Sequence, residues 1–356
     1  MISFLTKPSS CPSLIISKIL LVVSALFLFI LGLQMLKTGA GGIMPVLKGL
    51  HLEGIINLFG LGWVMAYCVL SGSPIAAISL GLFGAHKITD VESLGMIAGS
   101  RFGASFVVLL LGAVHYFRGR RAMVTVATGV LCLLVTWTIY TPATVIGYVL
   151  LKTDLLEGAR LPLPGAVTGL IELVYDPILK VMAVYLRPAV LFVMGVVTLL
   201  SAFTLFDRAL PDIDPEHSRF KQIANVVYRT NVMFILGIAV TCVTLSVSVS
   251  LGLLVPLSAK GYVRRENIIP YIMGANISTF IDTLVASMLV GEPHAFTVVL
   301  AEMLGVSLFS LVVLFGFYAN YRDGIEWCLE WITLSRRTFL IFVGAITVVP
   351  LFLMLI

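Results

Sequence analysis

The residues able to do chemistry fall in two short polar breaks that recur along an otherwise apolar chain. The first is Leu70-Ser71-Gly72-Ser73, trailed by Gly99; the second is Leu245-Ser246-Val247-Ser248, trailed at the same spacing by Gly274. The copies lie close to half the chain length apart, which is the spacing a duplication leaves. Ser71, Ser73, Ser246, Ser248 and the nearby Ser250 supply neutral oxygens and O–H donors. Hydroxyl and freed carbonyl oxygens suit a dehydrated Na⁺, whereas converging donors at helix N-termini suit an oxyanion. Small residues that let membrane helices pack closely are the competing explanation for one such segment. Two copies at equal spacing favour a binding role.

A second set of residues trails each break. GSRFGAS at 99–105 and GANISTF at 274–280 read as small-residue turns whose broken chain exposes carbonyls. They put Arg101 and Ser105 in the first copy and Asn276, Ser278 and Thr279 in the second. Asp282 follows Gly274 by about two helical turns. Arg101, Asp282, Glu302 and Arg229 all fall in apolar stretches, where a charge costs several kcal/mol unless paired or solvated. A guanidinium beside the first serine segment can hold an anion with two parallel hydrogen bonds. Asp282 can take a cation or a proton. Equally, Arg101 can pair with Asp282 or Glu302 as a structural ion pair. His86 and His294 read as loop histidines, and Glu172, Asp176 and Lys180 as solvated faces of a connecting segment.

The surrounding sequence says what positions these residues. The chain is 59% hydrophobic and 12% charged, with mean hydropathy +1.08. Such a composition excludes an ordinary soluble domain and predicts an all-α polytopic membrane protein, placed in the inner or plasma membrane. Full spans are expected at 14–36, 93–115, 122–142, 188–206, 267–290, 296–318 and 338–356. The stretch 14–35 is too long for a signal h-region and reads as a retained helix. Residues 57–69 with 74–85, and 232–244 with 251–259, are too short to cross a ~30 Å core at ~1.5 Å per residue. Each pair therefore reads as a re-entrant hairpin with the serine segment at its tip. Pro74 reinforces the break, because it lacks an N–H and disfavours helix at Ser73.

Charge sets direction. The helix at 93–115 is followed by Arg118-Gly119-Arg120-Arg121; its counterpart at 267–290 is instead preceded by Lys260, Arg264 and Arg265. By the positive-inside rule the two cross in opposite senses, which makes the repeats inverted. Loops assigned inside by this scheme hold 13 Lys plus Arg, and loops assigned outside hold 7. The chain then divides into a first repeat at 14–142, an extracytoplasmic connection at 143–187 carrying an interfacial amphipathic helix, and a second repeat at 188–356. The net charge of +5 comes from basic loops and gives no reason to infer nucleic-acid binding. Five scattered cysteines form neither a metal spacing nor a disulfide framework. No HExxH, GxSxG or nucleotide-binding loop is present, so neither an enzyme nor an ATP-driven pump is expected, and no cofactor.

With Gly274-Ala275-Asn276-Ile277 trailing the second serine segment, the chain resembles the type II sodium/phosphate cotransporter family. That family carries Gln-Ser-Ser-Ser-Ala-Thr followed by Gly-Ala-Asn-Ile-Gly-Thr-Thr in each of two repeats. The likeness covers about 20–115 and 190–310, with Leu254-Val255-Pro256-Leu257 adding to it. Leu70 and Leu245 replace both glutamines, Gly72 and Val247 the middle serines, and Arg101 the first asparagine. The resemblance implies Na⁺-coupled symport of inorganic phosphate by alternating access. Ser71, Ser73, Arg101, Ser246 and Ser248 would then bind the anion, and Ser250, Asn276, Ser278, Thr279 and Asp282 the ion. The alternatives are another small anion, proton coupling through Asp282 or Glu302, or a protein that kept the fold without transport.

Overall fold

The computed structural model describes residues 12–117, 122–153, 155–159, 164–209, 229–259 and 263–356. The basic turn 118–121, Lys260 and most of the 207–226 loop lie outside them. Every regular element among the described residues is helical. In chain order they are α1 (Pro12–Gly39), α2 (Met44–Gly49), α3 (Ile55–Val69), α4 (Ser73–Gly84), α5 (Asp90–Phe117) and α6 (Ala122–Lys152). Then come α7 (Gly165–Tyr185), α8 (Pro188–Ala209), α9 (Thr230–Thr244), α10 (Val247–Gly252) and α11 (Leu254–Ala259). The last are α12 (Arg265–Ser278), α13 (Phe280–Leu289), α14 (Pro293–Gly316), α15 (Tyr318–Thr333) and α16 (Arg336–Leu355). Among the described residues, seven segments are long and apolar enough to cross a membrane, with α12 and α13 counted as one. The protein is a multi-pass membrane protein.

The serine segments end one helix and start the next. Leu70 and Leu245 close α3 and α9 in the left-handed region, with φ of 56° and 47°. Pro74 sits in the first turn of α4, where its missing N–H would have had no helical partner. Ser246 caps α10 by accepting the Val249 N–H at 3.3 Å.

Halves of the chain repeat in register. The offset that carries Leu70 onto Leu245 also carries both ends of α3 onto those of α9, and the start of α5 onto the start of α12. Their packing repeats too. A Cβ on Gly99 would lie 2.0 Å from the Phe59 carbonyl oxygen, and one on Gly274 2.1 Å from that of Phe234. The second pair is the first moved by the same offset. These contacts correct the expectation of turns at 99–105 and 274–280. The first segment runs inside unbroken α5, and the second is helical up to a slight break at Thr279, whose own φ and ψ stay α-helical. The small residues serve close approach of helix backbones rather than chain breaking.

Other contacts give relative direction. Gly32 meets Leu199 while Gly39 meets Phe192, so α1 and α8 run antiparallel. Gly147 meets Ala301 while Gly305 meets Ala143, so α6 and α14 do the same. The α5 span is 67% buried and the α16 span 11%, which puts the core around α4, α5, α6, α12 and α14.

Two boundaries differ from the sequence expectation. The helix expected to stop at 142 continues through Pro142 to Lys152. A proline is tolerated inside a membrane helix where neighbouring helices hold the segment, and α14 packs along this one. The connecting segment carries α7, whose Tyr175 and Leu179 pack against Met35 and Leu191. Glu172, Asp176 and Lys180 are exposed on it, as expected. Arg229 lies at the exposed start of α9 rather than within a span.

Candidate functional site

The centre of the molecule holds a guanidinium. Arg101 sits midway along α5 with 2% of its side chain exposed. Its Nη1 donates to Ser73 Oγ at 3.4 Å and to Thr279 Oγ1 at 3.3 Å, and Nη2 donates to Thr283 Oγ1. Nη2 also lies 3.9 Å from Asp282 Oδ1, and the guanidinium carbon stands 5.1 Å from the Phe280 ring centroid. Nε has no partner among the described residues. Ser73 belongs to the first half; Thr279, Phe280, Asp282 and Thr283 belong to the second. The two halves thus meet on one cation, and the first turn of α4, with its partly positive helix end, points to the same place.

The guanidinium is not fully engaged by these partners. Both Nη1 contacts are longer than the usual 2.7–3.2 Å of an N–H···O bond. An oxyanion offered to Nε and Nη2, whose N–H bonds lie parallel, would be held by bonds charged on both sides, which are stronger than those to hydroxyls. Asp282 is 11% exposed; its Oδ1 accepts from Thr283 Oγ1 at 2.8 Å, and its Oδ2 has no partner among the described residues. Asp282 also lines a cavity of about 210 Å³ walled by Leu26, Phe29, Phe203, Phe206, Ile281 and Val285, with Asp207 and Leu245 at its edge. Asp282, on the far side of the pair from Arg101's helix, thus borders an apolar vestibule between α1, α8 and α13.

The remaining sequence candidates spread over separate networks. Ser250 Oγ accepts from Thr241 at 2.7 Å and lies 2.9 Å from the Tyr271 hydroxyl. Asn276 bonds Thr136 through its amide, Nδ2 donating at 3.3 Å, and its carbonyl accepts from Tyr140 at 2.9 Å. Ser278 bonds back to the carbonyls of Gly274 and Ala275. Ser246 is a helix cap. Ser71 and Ser248 are half-buried and stand apart from Arg101's hydrogen-bond partners. Of the anion set, Ser73 and Arg101 are together; of the ion set, Thr279 and Asp282 join them. Ser105 bonds within its own helix, to Phe102.

Several residues at these networks escape the sequence reading. Thr283 stands one helical turn beyond Thr279, a spacing that could have flagged it. Thr136, Tyr140, Thr144, Thr241 and Tyr271 come from other helices, and no linear pattern ties them to the serine segments. Glu302 is fully buried in α14, where Oε1 accepts from Thr144 Oγ1 at 2.8 Å and Oε2 has no partner among the described residues. Tyr140 stands within electrostatic range of Arg101, Asp282 and Glu302 together, so the three charges form one polar interior.

Comparison with family models, with curated proteins and with solved structures gives no match for this chain.

Proposed function

We propose that this protein is a secondary active transporter of a small anion, built from two inverted repeats and working by alternating access. The observation that carries the reading is Arg101, a buried cation contributed by one half and held by Ser73 and by the hydroxyls and carboxylate of the other. The antiparallel contacts of α1 with α8 and of α6 with α14 support inversion. Helices α3 and α4, and α9 with α10 and α11, supply the re-entrant hairpins. In the cycle the anion takes Nε and Nη2 of Arg101, loosening the guanidinium from Thr283 and Asp282. The halves then rock about the Arg101 contact and expose it to the other side. Inorganic phosphate is the first substrate to try, since the resemblance of the serine and Gly-Ala-Asn-Ile segments implies it, and Na⁺ is the coupling ion implied with it.

Purified protein in proteoliposomes should take up labelled phosphate, or exchange it against internal phosphate, and Arg101→Gln should abolish both. Uptake by Arg101→Gln at the wild-type rate would sink the reading. A second reading is favoured by the engagement of both terminal Arg101 nitrogens: the pair with Asp282 is structural and the chain does not transport. In that case Arg101→Gln combined with Asp282→Asn folds as well as wild type, and neither protein moves any anion of a phosphate, sulfate and carboxylate panel.

A further inference from the structure

Helices α6 and α14 cross by reciprocal glycine contacts. Gly147 meets Ala301 and Gly305 meets Ala143. At this crossing Thr144 and Glu302 are hydrogen-bonded to each other at 2.8 Å. The pair thus stands where α6 and α14 face each other.

Glu302 has one oxygen satisfied and one, Oε2, fully enclosed with no hydrogen-bond partner among the described residues. An ionised carboxylate in that position pays most of its desolvation cost uncompensated. A cation or proton can offset it. The surroundings decide between them: a Cβ on Gly147 would come 2.9 Å from Oε2, and the Thr144 hydroxyl is the one side-chain oxygen bonded to the group among the described residues. A metal cation needs several converging oxygens and the space to seat them; a proton needs neither. The titratable groups facing Glu302 are Tyr140 on α6, Arg101 on α5 and, beyond Tyr140, Asp282 on α13. Helix α4 carries none, Tyr271 on α12 is turned to Ser250, and Tyr318 and Tyr321 on α15 are turned to the Glu266 carbonyl and Thr138. Arg101 is thus paired with Asp282 at 3.9 Å and also stands within electrostatic range of Glu302.

We infer that Glu302 is a proton-carrying site that couples anion movement to a proton gradient. This rests on the Arg101 reading above. With Glu302 ionised, Arg101 feels two carboxylates, one paired with it and one at longer range. A proton from one aqueous side binds Oε2 and forms the neutral acid, leaving Arg101 with charge to spare for an anion. After the halves rock, the O–H bond breaks and the proton leaves to the other side. One proton enters and one leaves, and no other bond changes.

The test uses the full-length protein in proteoliposomes with inorganic phosphate as probe and no Na⁺. An inward proton gradient should drive phosphate accumulation in wild type. Glu302→Gln, which keeps the size and the Thr144 partner, should lose gradient-driven accumulation but keep labelled-phosphate exchange. Infrared difference spectra between acidic and alkaline buffer should carry a carboxylic-acid C=O band that Glu302→Gln removes. Wild-type exchange with no response to the proton gradient, or a spectrum unchanged by Glu302→Gln, overturns this proposal and leaves the Arg101 reading standing. Absence of exchange in wild type, with and without Na⁺ and across phosphate, sulfate and carboxylate anions, overturns both.

Discussion

Arg101 and Asn276 occupy matching positions in the two repeats, and each reaches into the opposite half of the molecule. The Arg101 guanidinium donates to Thr279 and Thr283, while the Asn276 amide donates to Thr136. Exchange of polar contacts across the middle ties the two halves together. It also makes the pair unequal: one side is charged and the other neutral.

The charged side gives the first prediction. Arg101 and Asp282 are buried together, so removing one leaves the other without its counter-charge, at a cost of about 3–5 kcal/mol. Asp282→Asn and Arg101→Gln should each lower the thermal unfolding midpoint in detergent, Asp282→Asn somewhat less because Glu302 also faces the guanidinium. The double variant should recover most of the loss, since two neutral amides can hydrogen-bond where two charges stood. A double variant as unstable as the sum of the singles would show that the two do not interact.

The glycine contacts give the second. Gly99→Ala and Gly274→Ala would drive a methyl to 2.0 Å and 2.1 Å from a backbone carbonyl oxygen, which no rotamer change can relieve. Overpacking of this kind costs about 1–3 kcal/mol or more. Gly324→Ala on α15 meets nothing within 4 Å and should be neutral or stabilising by up to about 1 kcal/mol through helix propensity. Thermal melts of the three variants separate these outcomes, and equal effects at all three would refute the close packing.

Those same glycines mark how far the sequence can be read. The half-chain repeat, the long spans and the short paired helices are legible, because apolar run length and repeat spacing are linear properties. The short helices expected at 57–69, 74–85 and 232–244 agree to within two positions, since Pro74 and the serine segments punctuate the chain locally. The one expected at 251–259 instead starts at Val247 and is split at Leu253. Gly99 and Gly274 read falsely as turns, because a glycine that admits a neighbouring backbone and one that bends its own chain look alike in one dimension. Arg101, Asp282 and Glu302 are legible as charges in apolar stretches. Which of them meet, and that Thr283 and Thr144 join them, depends on the crossing of α5 with α13 and of α6 with α14, which no spacing encodes.

The helix ends at the serine segments give the third prediction. Leu70 and Leu245 hold φ of 56° and 47°, a region that costs an L-residue roughly 1–2 kcal/mol and glycine little. Both are more than a third exposed, so little packing is lost on truncation. Leu70→Gly and Leu245→Gly should therefore be neutral or mildly stabilising. Leu70→Val and Leu245→Val, β-branched at the same φ, should destabilise. Melting temperatures in the opposite order would mean that the leucine side chains, rather than the backbone turn, fix these breaks.

The trio at Thr241, Ser250 and Tyr271 gives the last. The Ser250 hydroxyl bridges the other two, at 2.7 Å to Thr241 and 2.9 Å to Tyr271, and all three are buried. The matching positions in the first half are Ala66, Ile75 and Met96, so an apolar contact meets the same packing need there. Removing the central hydroxyl alone strands two buried polar groups, each costing about 1–3 kcal/mol, whereas removing partners together can be nearly neutral. Ser250→Ala should accordingly be more destabilising than Ser250→Ala combined with Tyr271→Phe, although the double variant has lost more atoms. Ser250 was also expected among Na⁺ ligands, and the same variants test that role. A wild-type melting temperature that rises with NaCl over matched KCl, and a Ser250→Ala variant that no longer responds, would assign the hydroxyl to an ion. An identical response in both salts leaves it to the bridge between α9 and α12.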